Sequence, residues 1–261
     1  MNELNPFLKQ LQELRARLLR HKPFVYRTRD TLSLHFDPLI TQSEMCCDAP
    51  EKLMLPYTQT MMGFLLFQPK PQRIAMIGLG GGSLAKYCYS KLPEASIVVA
   101  EINPEVIAFR DEFQVPKDDE RFQVVCADGA DLVRDAPISF DVLLVDGYDR
   151  HGQSPRLLGP HFYDDCYRRL APEGLLVVNL LVEDPFRART IAHIRKRFGT
   201  AVVVDSEDRT NRVVFARNGA TLSLPHEPLH AHLDALECAH PVGLRCTLQR
   251  ILHEQCEQRP A

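Results

Sequence analysis

Three short apolar runs each close on a carboxylate. SIVVAE ends on Glu101, FQVVCAD on Asp128 and FDVLLVD on Asp146, and Asp149 follows three positions beyond the last. Ahead of them RIAMI runs into GLGGGS, where Gly78, Gly80, Gly81 and Gly82 separate an apolar run from a helical pattern. In an open parallel sheet, ligands sit beyond the carboxyl ends of the strands, and a glycine turn after the first strand lets backbone approach the ligand. Glu101, on the strand beside the glycine loop, is placed to accept both hydroxyls of a ribose. Asp128, at the same edge, is placed to accept from an exocyclic adenine amine. No basic residue accompanies them for a pyrophosphate. The loop also lacks the GKS or GKT of a triphosphate loop and the GxGxxG spacing of a dinucleotide loop. The chemistry expected is therefore recognition of a nucleoside without phosphates, such as an adenosyl sulfonium compound. The same acids would serve as helix N-caps, and Asp146 and Asp149 as turn-formers at a strand end, so both readings stand at this stage.

The elements that must position these residues follow from periodicity. IAMIG, SIVVAEI, FQVVCAD, FDVLLVD and GLLVVNLL read as buried strands, and helical or mixed patterns fill residues 83–92, 104–113, 129–135 and 161–171 between them. That alternation predicts a Rossmann-like α/β domain over residues 69–218, its parallel sheet covered on both faces. A helix near 186–198 precedes AVVVD and RVVFA, two further strands joined by a hairpin at SEDRTN. Ahead of the domain, residues 23–68 contain three short strands, VYRT, TLSLHF and LITQSEM, and then a buried helix over 57–67. Residues 1–22 place Leu4, Phe7, Leu8, Leu11, Leu14, Leu18 and Leu19 at helical spacing, and residues 219–261 form a helical tail. The polar loop 150–160 is expected to close over the acceptor as a lid.

Composition narrows the function classes. With 261 residues, 45% of them hydrophobic and 25% charged, the chain can bury a genuine core. Its formal net charge of -3 gives no overall basic field for nucleic acid. No secretory signal and no run long enough for a membrane span is read, so a cytoplasmic protein with reduced thiols is expected despite its 8 cysteines. Cys238, His240, Cys246, His253 and Cys256 in the tail form no CxxC pair, and no metal site is expected.

The glycine loop, EINP, ADGAD, FDVLLVDGYD and LAPEGLLVVNLL together resemble the spermidine synthase family of polyamine aminopropyltransferases, over about residues 24–217. The resemblance implies a class I S-adenosylmethionine methyltransferase fold with a small antiparallel β appendage, a homodimer, and transfer of an aminopropyl group from decarboxylated S-adenosylmethionine to an amine such as putrescine. It implies that Asp146 is the catalytic base, that Asp149 helps hold the amine, that Tyr57 in LPYTQTMM lines the acceptor pocket, and that Gln42 in LITQSE holds the donor chain. Gly78, Gly80, Gly81, Gly82 and Gly129 are then cofactor-binding positions beside Glu101 and Asp128. One position departs. The family loop reads GGGDGG, and the Asp that binds the aminopropyl amine aligns with Gly81. Its loss removes a charge partner of the donor's ammonium and is expected to open space for the carboxylate of intact S-adenosylmethionine. GLGGGSL with EINP is also similar to methyltransferases related to the spermidine synthases. Methyl transfer to a small or protein amine is thus the alternative, and a silent nucleoside-binding scaffold the third reading.

Overall fold

A computed structural model describes residues 22–38, 40–219, 222 and 229–257, so the helix expected ahead of Lys22 lies outside the described residues. Strands β1 (Phe24–Arg27), β2 (Thr31–Asp37) and β3 (Ile40–Cys46) form an antiparallel sheet in chain order. Leu32, Leu34 and Met45 belong to the same buried cluster as Phe64, Phe113 and Phe215, so the appendage shares the main core. The β2/β3 ladder shifts register between Leu34, opposite Ser43, and His35, opposite Thr41. Gln42 is the extra residue of that bulge, a device that re-aims a side chain.

Pro56 then starts helix α1 (Pro56–Met61), where its missing amide costs nothing. The helix expected over residues 57–67 tightens after Met61 into a 3₁₀ segment, Met62–Leu66, whose five residues are all buried.

The main sheet has seven strands in the order β11-β12-β10-β7-β4-β5-β6. They are β4 (Arg73–Ile77), β5 (Ser96–Glu101), β6 (Phe122–Cys126), β7 (Phe140–Val145), β10 (Leu170–Leu181), β11 (Val202–Asp205) and β12 (Asn211–Arg217), with the short ribbon β8 (Tyr148–Asp149) and β9 (Gly152–Gln153) standing outside. Five strands run parallel, while β12 is antiparallel to β10 and to β11. Continuous apolar strands are explained by burial on both faces: in β7, Val142 and Leu144 enter one cluster and Leu143 and Val145 the other. Chain order proceeds from β4 outward to β6, then returns to place β7 on β4's other side. The crevice beyond β4 and β7 is thus the topological switch point, where ligands bind in such sheets.

The covering helices are α2 (Ser83–Lys91), α3 (Pro104–Ile107), α4 (Gly129–Asp135), α5 (Pro155–Leu158), α6 (Pro160–Arg169), α7 (Arg187–Phe198), α8 (Leu229–Ala239) and α9 (Leu244–Glu257). The helix expected over 104–113 stops at Ile107. Beyond it the chain turns, and Gln114 takes φ +53° while the Phe113 ring goes fully inside. Pro116 two positions on, which disfavours helix in the residue before it, leaves little reach for continuation. Among the described residues, no helix is long and apolar enough to cross a membrane.

The C-terminal helix docks through a close approach at Gly63, where an added Cβ would stand 2.8 Å from Thr247 Cγ2 and 3.0 Å from Phe215 Cζ. Gly63→Ala is therefore expected to destabilise the fold by ~1–3 kcal/mol through overpacking, with Thr247→Ser restoring part of the loss. Urea denaturation of the single and double variants measures this; equal midpoints for Gly63→Ala and wild type would contradict the docking.

Candidate active site

The carboxyl ends of β4, β5, β6, β7 and β10 open into a cleft of about 560 Å³. Its floor is set by two backbone bonds: Gly78 N donates to Ala100 O at 2.8 Å and Asp146 N to Ile77 O at 2.8 Å. These stitch the glycine loop and the start of the 146–149 segment to neighbouring strands. Gly78 has φ +93°, and a Cβ there would lie 2.2 Å from Asp146 O, so only glycine lets the two loops touch.

Gly80 and Gly129 line the cleft with Gly78, whereas Gly81 and Gly82 are buried behind its wall. The expectation that Gly81 opens space is corrected by the packing. A Cβ at that position would stand 2.7 Å from both Phe113 Cδ1 and Ser43 Oγ. The volume of the missing side chain is already taken by a fully buried ring and a hydroxyl. Ser43 Oγ in turn lies 3.3 Å from Ser83 Oγ, so the wall nearest Gly81 presents hydroxyls.

Glu101, nearly buried at 9% exposure, binds backbone through both oxygens: Leu79 N donates to Oε2 at 2.9 Å and Asn103 N to Oε1 at 2.8 Å. It is not the cap of α3; Asn103 Oδ1 takes that place, accepting from Glu105 N. Asp128 does cap α4 through Oδ1, which accepts from Ala130 N at 2.8 Å, and its Oδ2 meets Arg156 Nη1 at 2.7 Å. The capping and ligand-binding readings of Asp128 are compatible, because each carboxylate oxygen carries two lone pairs. Ile102, next after Glu101, stays 60% exposed on the cleft wall and offers an apolar face for a planar base.

Asp146 is the most constrained acid. Tyr57 Oη donates to its Oδ2 at 3.0 Å and Asn179 Nδ2 to its Oδ1 at 2.8 Å. Burial raises its carboxyl from the ordinary value, those two bonds pull it back, and the charge of Glu101 raises it further. Burial, and then the charge of Asp146, push the Tyr57 phenol well above its usual value, so the tyrosine remains a donor. Asp149 lies on the cleft rim but apart from this pair, exposed, with Oδ1 accepting from His151 N at 2.6 Å. Gln42 also lines the cleft. Tyr148 bridges the ribbon to β10, accepting from Leu181 N at 2.9 Å and donating to Asn179 O at 3.3 Å.

Loop 150–160 contains β9 and α5 and is anchored twice. Arg156 bonds Asp128 and Asp131, and Leu157 is buried against Gly147, where a Cβ would stand 2.5 Å from Leu157 Cδ1.

Sequence reasoning missed Asn179, Asn211, Ile102, Ser43 and Asp208, all on the cleft. For Asn179 a signal existed: it is the one polar residue in LLVVNLL, and a buried polar group inside an apolar strand needs a partner. Among the described residues, six acids (Asp37, Glu101, Asp128, Asp146, Asp149 and Asp208) line the cleft against one basic residue, Arg150. A cleft of that sign attracts cations such as a sulfonium and an amine.

The family model described as "Spermine/spermidine synthase domain" matches residues 54–205. The chain is 38% identical over 207 residues to a polyamine aminopropyltransferase of Chromobacterium violaceum, covering 78% of this chain and 79% of the relative. A probable spermidine synthase from Corynebacterium glutamicum shares the fold at TM-score 0.67 and 18% identity, over 82% of this chain and 83% of that one. Human methyltransferase-like protein 13, solved in complex with SAH, does so at TM-score 0.63 and 23% identity, over 73% of this chain and 93% of that one. With the fold and cleft described above, these matches place the chain in the spermine/spermidine synthase family.

Proposed function

We propose that the protein transfers an aminopropyl group from decarboxylated S-adenosylmethionine to an amine acceptor such as putrescine. The observation that carries this reading is a half-buried carboxylate, Asp146, held between Tyr57 and Asn179 in an acid-lined cleft. An amine is protonated in water, so it must lose a proton before it can attack the carbon beside the sulfonium. Asp146 accepts that proton, and the freed amine then forms the new C–N bond as the C–S bond breaks, leaving a neutral thioether. Tyr57 and Asp149 orient the acceptor, Glu101 holds the ribose, Asp128 the adenine amine and Gln42 the donor chain. No metal is needed, since the sulfonium is itself the leaving group. The 1–22 segment, 23–68 appendage, 69–218 catalytic region and 219–261 tail are the units of this enzyme, read as a cytoplasmic homodimer. It acts on a small amine, not on nucleic acid or at a membrane.

A second reading, methyl transfer from intact S-adenosylmethionine to an amine, is favoured by Gly81. No carboxylate stands there to hold the ammonium of the decarboxylated donor or to repel the carboxylate of the intact one, and the Phe113 and Ser43 packing leaves no room for such a side chain.

The acid limb of the rate profile follows from Asp146. A base whose carboxyl is raised from its ordinary value is active above that raised value, and activity is lost as pH falls through it. Tyr57→Phe removes a bond that favours the charged form and should move the limb to higher pH, while Asp146→Asn should lower turnover about 10²–10⁴-fold. Full activity in Asp146→Asn would eliminate it as the base. For the lid, Arg156→Ala should speed limited proteolysis within 150–160, and bound nucleoside should slow it. Equal cleavage in all cases would argue against closure. Calorimetric titration with both donors separates the two reactions. Tighter binding of the decarboxylated form supports aminopropyl transfer, tighter binding of the intact form supports methyl transfer, and binding of neither points to a silent scaffold.

A further inference from the structure

From Asp146 a chain of side-chain hydrogen bonds runs along the cleft wall in one direction. Asn179 Nδ2 donates to Asp146 Oδ1 at 2.8 Å. Asn211 Nδ2 donates to Asn179 Oδ1 at 2.9 Å, and Thr210 Oγ1 donates to Asn211 Oδ1 at 2.8 Å. Asn179 and Asn211 are buried, at 2% and 5% exposure, on the adjacent strands β10 and β12, where they sit two ladder rungs apart. The backbone amide of Asn211 is bound as well, donating to Ser206 Oγ at 3.0 Å.

The direction matters because a primary amide has two unlike ends. If Asn179 were turned over, its carbonyl oxygen would face the Asp146 carboxylate and its NH₂ would face another NH₂; both contacts would be repulsive. One amide beside a carboxylate could choose its orientation as the proton comes and goes. A second amide hydrogen-bonded to it would have to turn over as well, which opposes that choice. We propose that Asn211 is a positioning residue that fixes the orientation of Asn179, so that Asp146 keeps a hydrogen-bond donor throughout the reaction. The effect is to favour the charged carboxylate where burial disfavours it, as hydrogen bonds to an ionised group do.

The other groups facing Asp146 cannot supply that fixing. Tyr57 on α1 donates to the opposite oxygen, Glu101 on β5 repels the charge, and Tyr148 on β8 is engaged with β10 backbone. The inference rests on the reading of Asp146 as the base, and it extends the site to a strand at the far side of β10, outside the residue types that the catalytic chemistry itself demands.

The test uses neutral substitutions, since a new charge would shift Asp146 by itself. Asn211→Leu removes the donor to Asn179 while keeping the branched side-chain shape. Thr210→Val, at an exposed position, removes only the hydroxyl bonded to Asn211. The acid limb of kcat/KM should move to higher pH by about one pH unit in Asn211→Leu and by less in Thr210→Val, with the donor's KM little changed. The same order should emerge from carboxyl ¹³C NMR titration, with the Asp146 resonance identified by its loss in Asp146→Asn. A purely structural role would lower the yield or thermal midpoint and leave both titrations where they are. Wild-type midpoints in both variants would overturn the proposal. Should Asp146→Asn itself keep activity and the acid limb, the base assignment fails, while the NMR midpoints still report on the relay.

Discussion

The contact between Gly78 and the backbone of Asp146 sets the geometry of the cleft. Two loops leave neighbouring parallel strands and cross with no room for a methyl group between them. Because β4 and β7 lie side by side at the point where strand order reverses, those loops diverge after the contact, one toward α2 and one toward the ribbon at Tyr148. The space they leave is the cleft. Asp146 is held at its floor by its own backbone amide as well as by side chains, so its position does not depend on a ligand. Such preorganisation places the carboxylate before the acceptor arrives.

Electrostatics then selects what enters. Six acids around one arginine make the cleft a poor host for phosphates and a good one for cations. The acids do not repel one another freely, because several are already engaged with donors: Glu101 with two backbone amides, Asp128 with a helix terminus and Arg156, Asp146 with a phenol and an amide. Each engagement fixes the carboxylate in place while leaving lone pairs for a ligand. Gly81 modifies this picture at one end only, where the wall presents the Ser43 and Ser83 hydroxyls instead of an acid and the Phe113 ring packs behind it. The fold is shared with a probable spermidine synthase and with methyltransferase-like protein 13, so fold alone does not choose between the two proposed reactions.

The frame of this arrangement was legible in the sequence. Apolar runs ending on Glu101, Asp128 and Asp146 gave the strand ends, and the structure brings all three to one edge. Local patterns also located the small sheet and the hairpin after Val204. What escaped was anything decided between elements. The packing of Phe113 against Gly81 joins positions 32 residues apart in a segment that periodicity assigned to a helix. The Asn179 to Asn211 bond depends on the register of two antiparallel strands, which no local pattern states. Gln42 was placed by resemblance, and the physical reason for its orientation, a bulge in β3, becomes visible only from the ladder.

The tail illustrates how function can depend on residues far from the chemistry. Tyr57 stands at the start of α1, and α1 passes directly into the buried 3₁₀ segment that contains Gly63. On the other side of Gly63 lie Thr247 of α9 and Phe215 of β12. The tyrosine that meets Asp146 is therefore backed by the C-terminal helix, and that helix is in turn held by Arg250, which donates to Asp205 O at 2.7 Å at the end of β11. β12 takes part twice, through Phe215 under Gly63 and through Asn211 behind Asn179. Both donors to Asp146, one from α1 and one from β10, are thus supported by the same antiparallel strand. A displacement of β12 would loosen both bonds at once, which makes the added hairpin at the sheet edge part of the support that holds Asp146 in place.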